Sequence, residues 1–236
     1  MNTISKTAQI ASTAIIHDGV TIKDDVIIHD YVVIYPGVTI KAGSEIFDHC
    51  VIGKYPTSPG STARPLKDDY TPVTIGDHCV LCPSSVVYMG TTIGGHTLLG
   101  DHCSILDECT VGEYCVISRN VTVNYSTTIG HHTKIIDNSH ITGNMIIGNY
   151  VFIAPMVTSS NDNAMGRKGY STDSVRGPII EDYVTIGTGA SLLPNVRIGE
   201  NAIVGASALV TKDVPRDCVV MGVPARVVKK VEDTRG

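Results

Sequence analysis

The sequence predicts an all-β fold made of very short strands joined by tight corners. Two observations predict it. An aliphatic residue returns every six positions along most of the chain, and the composition is rich in Ile and Val but poor in large rings. A third supplies the corners: Gly, Asp, Asn and His fill the gaps between aliphatics, as in IGDHCV, IGGHTL and IGENAI. Several of these residues tolerate positive φ.

The repeat runs from Ile10 through Ile16, Ile22, Ile28, Ile34, Ile40 and Ile46 to Ile52. It resumes at Ile75 and continues to Ile153, then again from Ile180 to Val210. All twenty-eight positions are Ile, Leu or Val. A period of six fits neither an amphipathic helix nor a long flat strand. The fourth residue after each aliphatic is usually small or β-branched, as at Ala14, Val20, Val26, Val32, Val38, Ser44 and Cys50. Cys79, Cys103, Cys109 and Cys115 share this inward position, whereas Cys82 does not. The Cys79-x-x-Cys82 pair therefore reads as core packing rather than half of a zinc site.

Composition narrows the function classes. The chain has 236 residues, 42% hydrophobic and 17% charged, which is globular rather than disordered. A net charge of −5 gives no broad attraction to nucleic acid or to an anionic membrane. The start, MNTISKTAQI, lacks the apolar core of a signal peptide, and no apolar run approaches the ~18 residues of a spanning helix. Seven cysteines without a secretion signal predict free thiols in a reducing cytoplasm.

Two stretches break the period. Residues 53–72 carry four prolines and many small polar residues. Residues 159–179 carry Arg167, Lys168 and Arg176, a locally basic set suited to an anionic ligand. Long excursions from a rigid scaffold usually bind ligands or partners.

The repeat resembles the hexapeptide-repeat, left-handed parallel β-helix family. That resemblance implies three hexapeptides per triangular coil, so about nine coils in a single domain over 1–236. The C-terminal stretch resembles a signature of acyl-CoA-dependent hexapeptide acyltransferases, matched by Gly205, Ala206, Ser207, Ala208, Val210, Thr211, Lys212, Asp213, Val214, Pro215, Gly222, Pro224, Ala225 and Arg226. It implies acetyl-CoA or another acyl-CoA as co-substrate, no metal, and a homotrimer with the donor between subunits. Thr188, Ala206, Ser207, Lys212 and Arg226 are the candidate donor-binding residues. Small corner residues would leave a groove for the pantetheine arm, and the two cations would face its phosphates. In the C-terminal edge segment, 214–236, Val219, Val220 and Val223 are expected to cover an end or edge of the coil stack.

The implied reaction is N-acyl transfer to an amino sugar, most naturally a nucleotide-linked one. Related lipid-A-pathway enzymes carry H-I-A-H-D where this chain has His140-Ile141-Thr142-Gly143-Asn144. The family's base position is thus Gly143. Three readings stay open. His140 acts as base, His131 or His132 does so from a neighbouring subunit, or no side-chain base exists. An amine needs a base less than a hydroxyl does. Asn124, Asn138 and Asn161, whose amides both donate and accept, and the neighbouring carboxylate Asp162 are candidate acceptor contacts. Three other functions remain. One is sugar O-acetylation. Another is a metalloenzyme resembling the γ-type carbonic anhydrases, using His78, His96 and His132. The last is a non-catalytic scaffold.

Overall fold

A computed structural model describes residues 1–62, 64–171 and 174–232. Its strands are mostly two residues long and are dealt in rotation to three faces, beginning with Thr3–Ile4, Gln9–Ile10 and Ile15–Ile16. Each pairs in parallel with the strand three hexapeptides on: Thr3 with Thr21, Gln9 with Ile27, Ile15 with Val33. Side chains alternate across each strand, so the second residue points inward. The inward Ile28, Ile46, Leu81, Ile117 and Ile135 are buried, while outward Thr92, Thr110 and Thr128 are exposed.

The stack has ten complete coils, rather than about nine, and part of an eleventh. Two strands account for the difference. Ile4 lies one period before the first aliphatic counted, and Ser159 holds an inward position without being aliphatic. Ser159 avoids a polar penalty because its hydroxyl donates to the His140 carbonyl at 3.0 Å.

Both excursions leave the register intact. Ile75 pairs with Ile40, and Ile180 with Ile147. The flanking strands, Val51–Lys54 with Thr74–Ile75 and Thr158–Ser159 with Ile179–Ile180, shift the first excursion by one or two residues and shorten the second by one at each end. Residue 63 of the first and residues 172 and 173 of the second lie outside the described residues, as do 233–236 of the C-terminal segment.

The edge of the second face is closed differently from expectation. Cys218–Met221 joins that sheet and then pairs antiparallel with Arg226–Lys230. Val219 and Val220 are buried, but Val223 is 73% exposed, because it sits in the turn between the two strands. Among the described residues no helix is long and apolar enough to cross a membrane.

The corners explain why Cys, Ser and Thr interchange at the small inward position. A corner carbonyl of the next coil points back toward that position and needs a donor. Thr97 donates to Gly112 O at 3.0 Å, Thr133 to Gly148 O at 2.8 Å and Ser139 to Ala154 O at 3.0 Å. The thiols do the same: Cys79 to Gly94 O at 3.2 Å, Cys109 to Asn124 O at 3.2 Å and Cys115 to Gly130 O at 3.1 Å. Burial pushes the Cys50 and Cys109 thiols up to about 12 and raises Cys103 as well. A thiol reagent at neutral pH should therefore modify half-buried Cys82 first and reach Cys50, Cys103 and Cys109 only on unfolding. Ile117→Ala, at a fully buried rung, should cost about 2–5 kcal/mol in denaturant unfolding, against less than ~0.5 kcal/mol for exposed Thr92→Ala.

Candidate functional site

Both excursions leave the third face and return to the first, so both hang from the same corner of the prism. Between them lies a column of corner residues three hexapeptides apart: Asp107, Tyr125, Gly143 and Asn161. The first excursion lays Arg64 against this column. Arg64 makes two hydrogen bonds to the Asp107 carboxylate, at 2.8 and 3.0 Å, and its guanidinium lies 4.0 Å from the Tyr125 ring centroid. The Asp107 side chain is only 1% exposed, so its charge depends on this partner. Lys67 pairs with Glu108, the next residue.

The second excursion reaches the same ring through its hydroxyl and its edge. Asn161 Nδ2 donates to Gly143 O at 3.1 Å and to the Tyr125 hydroxyl at 3.4 Å. The Tyr170 ring meets Tyr125 edge-on at 6.5 Å. Asn144 Nδ2 holds the excursion's return by donating to Val175 O at 3.2 Å. A cavity of about 630 Å³ opens between the two excursions, and its polar lining includes Lys67, Glu108, Asn144, Tyr170, Arg176 and Asn195.

Gly143 is glycine for a packing reason. A Cβ there would lie 2.7 Å from two atoms of the Tyr125 ring. The aromatic ring occupies the space that a side chain at this position would need.

Electrostatics sort the polar groups. Burial works against the Arg64 charge, but the hydrogen bonds and charge of Asp107 outweigh it and raise Arg64 above the usual guanidinium value. Burial raises the Tyr125 phenol, so it stays protonated. Among the cations lining the cavity, Arg64 and Lys67 are paired with acids, whereas Arg176 is exposed and has no ion-pair partner among the described residues.

The residues singled out in the sequence are distributed over several places. His140 projects outward on the third face, as its position before Ile141 implies, and is half-buried. It does not line the cavity. Its Nδ1 shares a 2.7 Å hydrogen bond with Thr122 Oγ1, and burial lowers its affinity for a second proton. His131 lies a face away, on the first-to-second corner, where its Nδ1 accepts the Glu113 N–H at 3.1 Å. His132 stacks between Tyr114 and Tyr150 at 5.0 and 4.7 Å, in one ring column with His78 and His96. These histidines lie one above another along a corner instead of converging on a point.

Of the acceptor candidates, Asn161 belongs to the Tyr125 cluster. Asp162 instead accepts the Ala164 and Gly166 N–H groups, both at 2.7 Å, and shapes its own excursion. Asn138 occupies the second-to-third corner at φ 60°. Asn124 sits at the end of the third face, its carbonyl capped by Cys109. The donor candidates split. Thr188, Ala206 and Ser207 form an exposed patch on the second-to-third corner, with Ser207 N–H donating to Thr188 O at 2.9 Å. Arg226 starts the antiparallel edge strand near them, and Ala225 N–H bonds Leu209 O at 2.8 Å. Lys212 is on the next corner, third to first, one coil beyond Asn195.

Arg64, Asp107, Tyr125, Tyr170 and Asn195 escaped the sequence reading. A partial signal was present: Asp107 carries the usual acidic turn residue, but Tyr125 and Gly143 replace it at the next two steps of eighteen, in line with Asn161 at the foot of the second excursion.

Two stretches, residues 7–42 and 177–212, match the bacterial transferase hexapeptide (six repeats) family. The chain is 41% identical over 70 residues to a serine acetyltransferase of Buchnera aphidicola, covering 30% of this chain and 27% of the relative. It is 47% identical over 55 residues to a galactoside O-acetyltransferase of Lactococcus lactis, covering 23% and 27%. It is 53% identical over 60 residues to a 2,3,4,5-tetrahydropyridine-2,6-dicarboxylate N-acetyltransferase of Staphylococcus aureus, covering 24% and 25%. The chain thus spans about a quarter of the length of these curated relatives. A solved Arabidopsis UDP-N-acetylglucosamine acyltransferase shares the fold, with TM-score 0.69 and 17% identity over 97% of this chain and 74% of that one.

Two measurements check the local geometry. Unfolded, His140 protonates near its ordinary 6.5; folded, it protonates lower. The unfolded state binds more protons in that window, so stability falls as pH drops below 6.5 through the folded value. His140→Asn should flatten that part of the stability profile. Gly143→Ala should cost about 1–3 kcal/mol by displacing the Tyr125 ring, and the penalty should shrink in a Tyr125→Ala background.

Proposed function

We propose that this chain, which matches the bacterial transferase hexapeptide family over residues 7–42 and 177–212, is an acyl-CoA-dependent N-acyltransferase whose acceptor is a nucleotide-linked amino sugar. The observation that carries this reading is the corner cavity closed by both excursions. Asn144, Asn195 and Tyr170 can exchange hydrogen bonds with sugar hydroxyls, and exposed Arg176, without an ion-pair partner among the described residues, can meet an anionic group.

The reaction needs few protein groups. A neutral amine attacks the thioester carbonyl, a C–N bond forms, the C–S bond breaks, and sulfur leaves as thiolate. The amine's proton passes to a base or to that thiolate. His140, neutral through burial but outside the cavity, is the candidate base if the acceptor amine extends from the cavity onto the third face, and direct transfer to sulfur is the alternative. O-acylation would depend on a base more strongly, and position 143 offers none.

The donor lies between copies of the chain in a homotrimer. The small-residue corner at Thr188, Ala206 and Ser207 and the Lys212 corner border opposite edges of one face. A groove between two copies would let one donor touch both kinds of corner. Acyl-CoA is a cytoplasmic metabolite, and seven free cysteines suit that compartment.

The test is thiol release from acetyl-CoA with nucleotide-linked 3-amino and 4-amino sugars, beside the matching hydroxyl sugars. Release with the amino sugars alone is expected. Release only with hydroxyl sugars would convert the reading to O-transfer, and absence of both turnover and acetyl-CoA binding heat would end it. His140→Asn should lower kcat by about 10²-fold or more if the imidazole is the base. Undiminished turnover retires it.

A further inference from the structure

Arg64 touches more of the candidate site than any one ligand contact would require. It is clamped to buried Asp107 by two hydrogen bonds and stacked on Tyr125. Tyr125 in turn packs on Gly143, accepts from Asn161 and meets Tyr170. Segments about a hundred residues apart in sequence are thus joined through one ring. Arg64, Leu66 and Tyr125 also stand between the main cavity and a smaller one of about 350 Å³, since both are lined by all three. That smaller chamber lies under the first excursion, against Pro56, Tyr88 and Leu106.

We propose that Arg64 is the positioning residue of this site: held by Asp107 and stacked on Tyr125, it sets both excursions, so the cavity is built as one unit rather than as two independent flaps. Its bearing on acceptor binding rests on the reading that the acceptor occupies the cavity. The chemistry requires arginine. A guanidinium can grip a carboxylate in two places and present a flat face to a ring at once, whereas an ammonium does only part of this. Loss of the cation also strands the Asp107 carboxylate in a buried place. The competing arrangement is local anchoring of each excursion. The second has its own ties, Asn144 to Val175 O and Asn161 to Gly143 O. The first has Lys67 to Glu108 and Gly90 N–H to Thr71 O at 2.7 Å. Under that arrangement the second excursion would not sense residue 64.

Amide hydrogen exchange on the full chain without ligand separates the two. In Arg64→Lys, and in Arg64→Ala if it folds, amides of 55–62 and 64–71 should exchange roughly ten-fold faster or more. The second excursion should follow, notably at Met165, Arg167 and Val175, whose N–H groups bond within it. Exchange at coil amides such as Val116 should stay unchanged. Tyr125→Phe, which removes only the hydroxyl contact, should loosen the second excursion and spare the first. Acceleration confined to the first excursion in the Arg64 variants overturns the proposal. In turnover assays, Arg64→Lys should raise acceptor KM about ten-fold while leaving acetyl-CoA KM unchanged. Coupled exchange with an unchanged acceptor KM would uphold the clamp and remove the acceptor from this cavity.

Discussion

Every feature of this chain depends on coil stacking. A two-residue strand cannot bury its inward aliphatic alone; it does so only between the strands above and below. That requires residues three hexapeptides apart to sit in register, as Leu99 does on Leu81 and under Ile117. Once register is set on three faces, each corner residue stacks on its counterpart in the next coil. The prism is a set of columns as well as a set of coils.

Columns account for side chains that look functional in isolation. The six rings His78, His96, Tyr114, His132, Tyr150 and Tyr183 lie in sequence along one corner at 4.6–5.1 Å. All six take positive φ, which costs most residues something. Ring stacking over the neighbouring coil offsets part of that cost. The inward Cys, Ser and Thr columns answer a second demand of the corners, a donor for each carbonyl that turns toward the core. Burial of these groups makes them good structural donors and poor nucleophiles.

The third-to-first corner uses the same rules to a different end. There the column carries a carboxylate, a ring and a glycine, and both excursions fold onto it. Asp107 is too buried to stand without a cation, and the first excursion brings one. Tyr125 lies across the coil above because position 143 has no side chain to oppose it. A rigid stack thereby places two irregular segments, which the repeat itself cannot position.

The all-β coil, the inward and outward sides, the buried thiols and the two interruptions are legible in the residues alone, because a period of six dictates which residues meet solvent and which meet the core. It misjudged the coil number slightly, since Ser159 is polar in an aliphatic position and Ile4 precedes the first rung counted. Val223 reads as an edge cover by composition, yet lies in an exposed turn. Which residues share a site emerges only from the folded chain. His140 and His131 stand on different sides of the prism, and Lys212 stands apart from Ser207 although five positions separate them. Arg64 and Asn161, nearly a hundred residues apart, both reach Tyr125. Periodicity governs contacts between neighbouring coils, but an excursion without a period is placed by the particular charge and ring it finds on the coil surface.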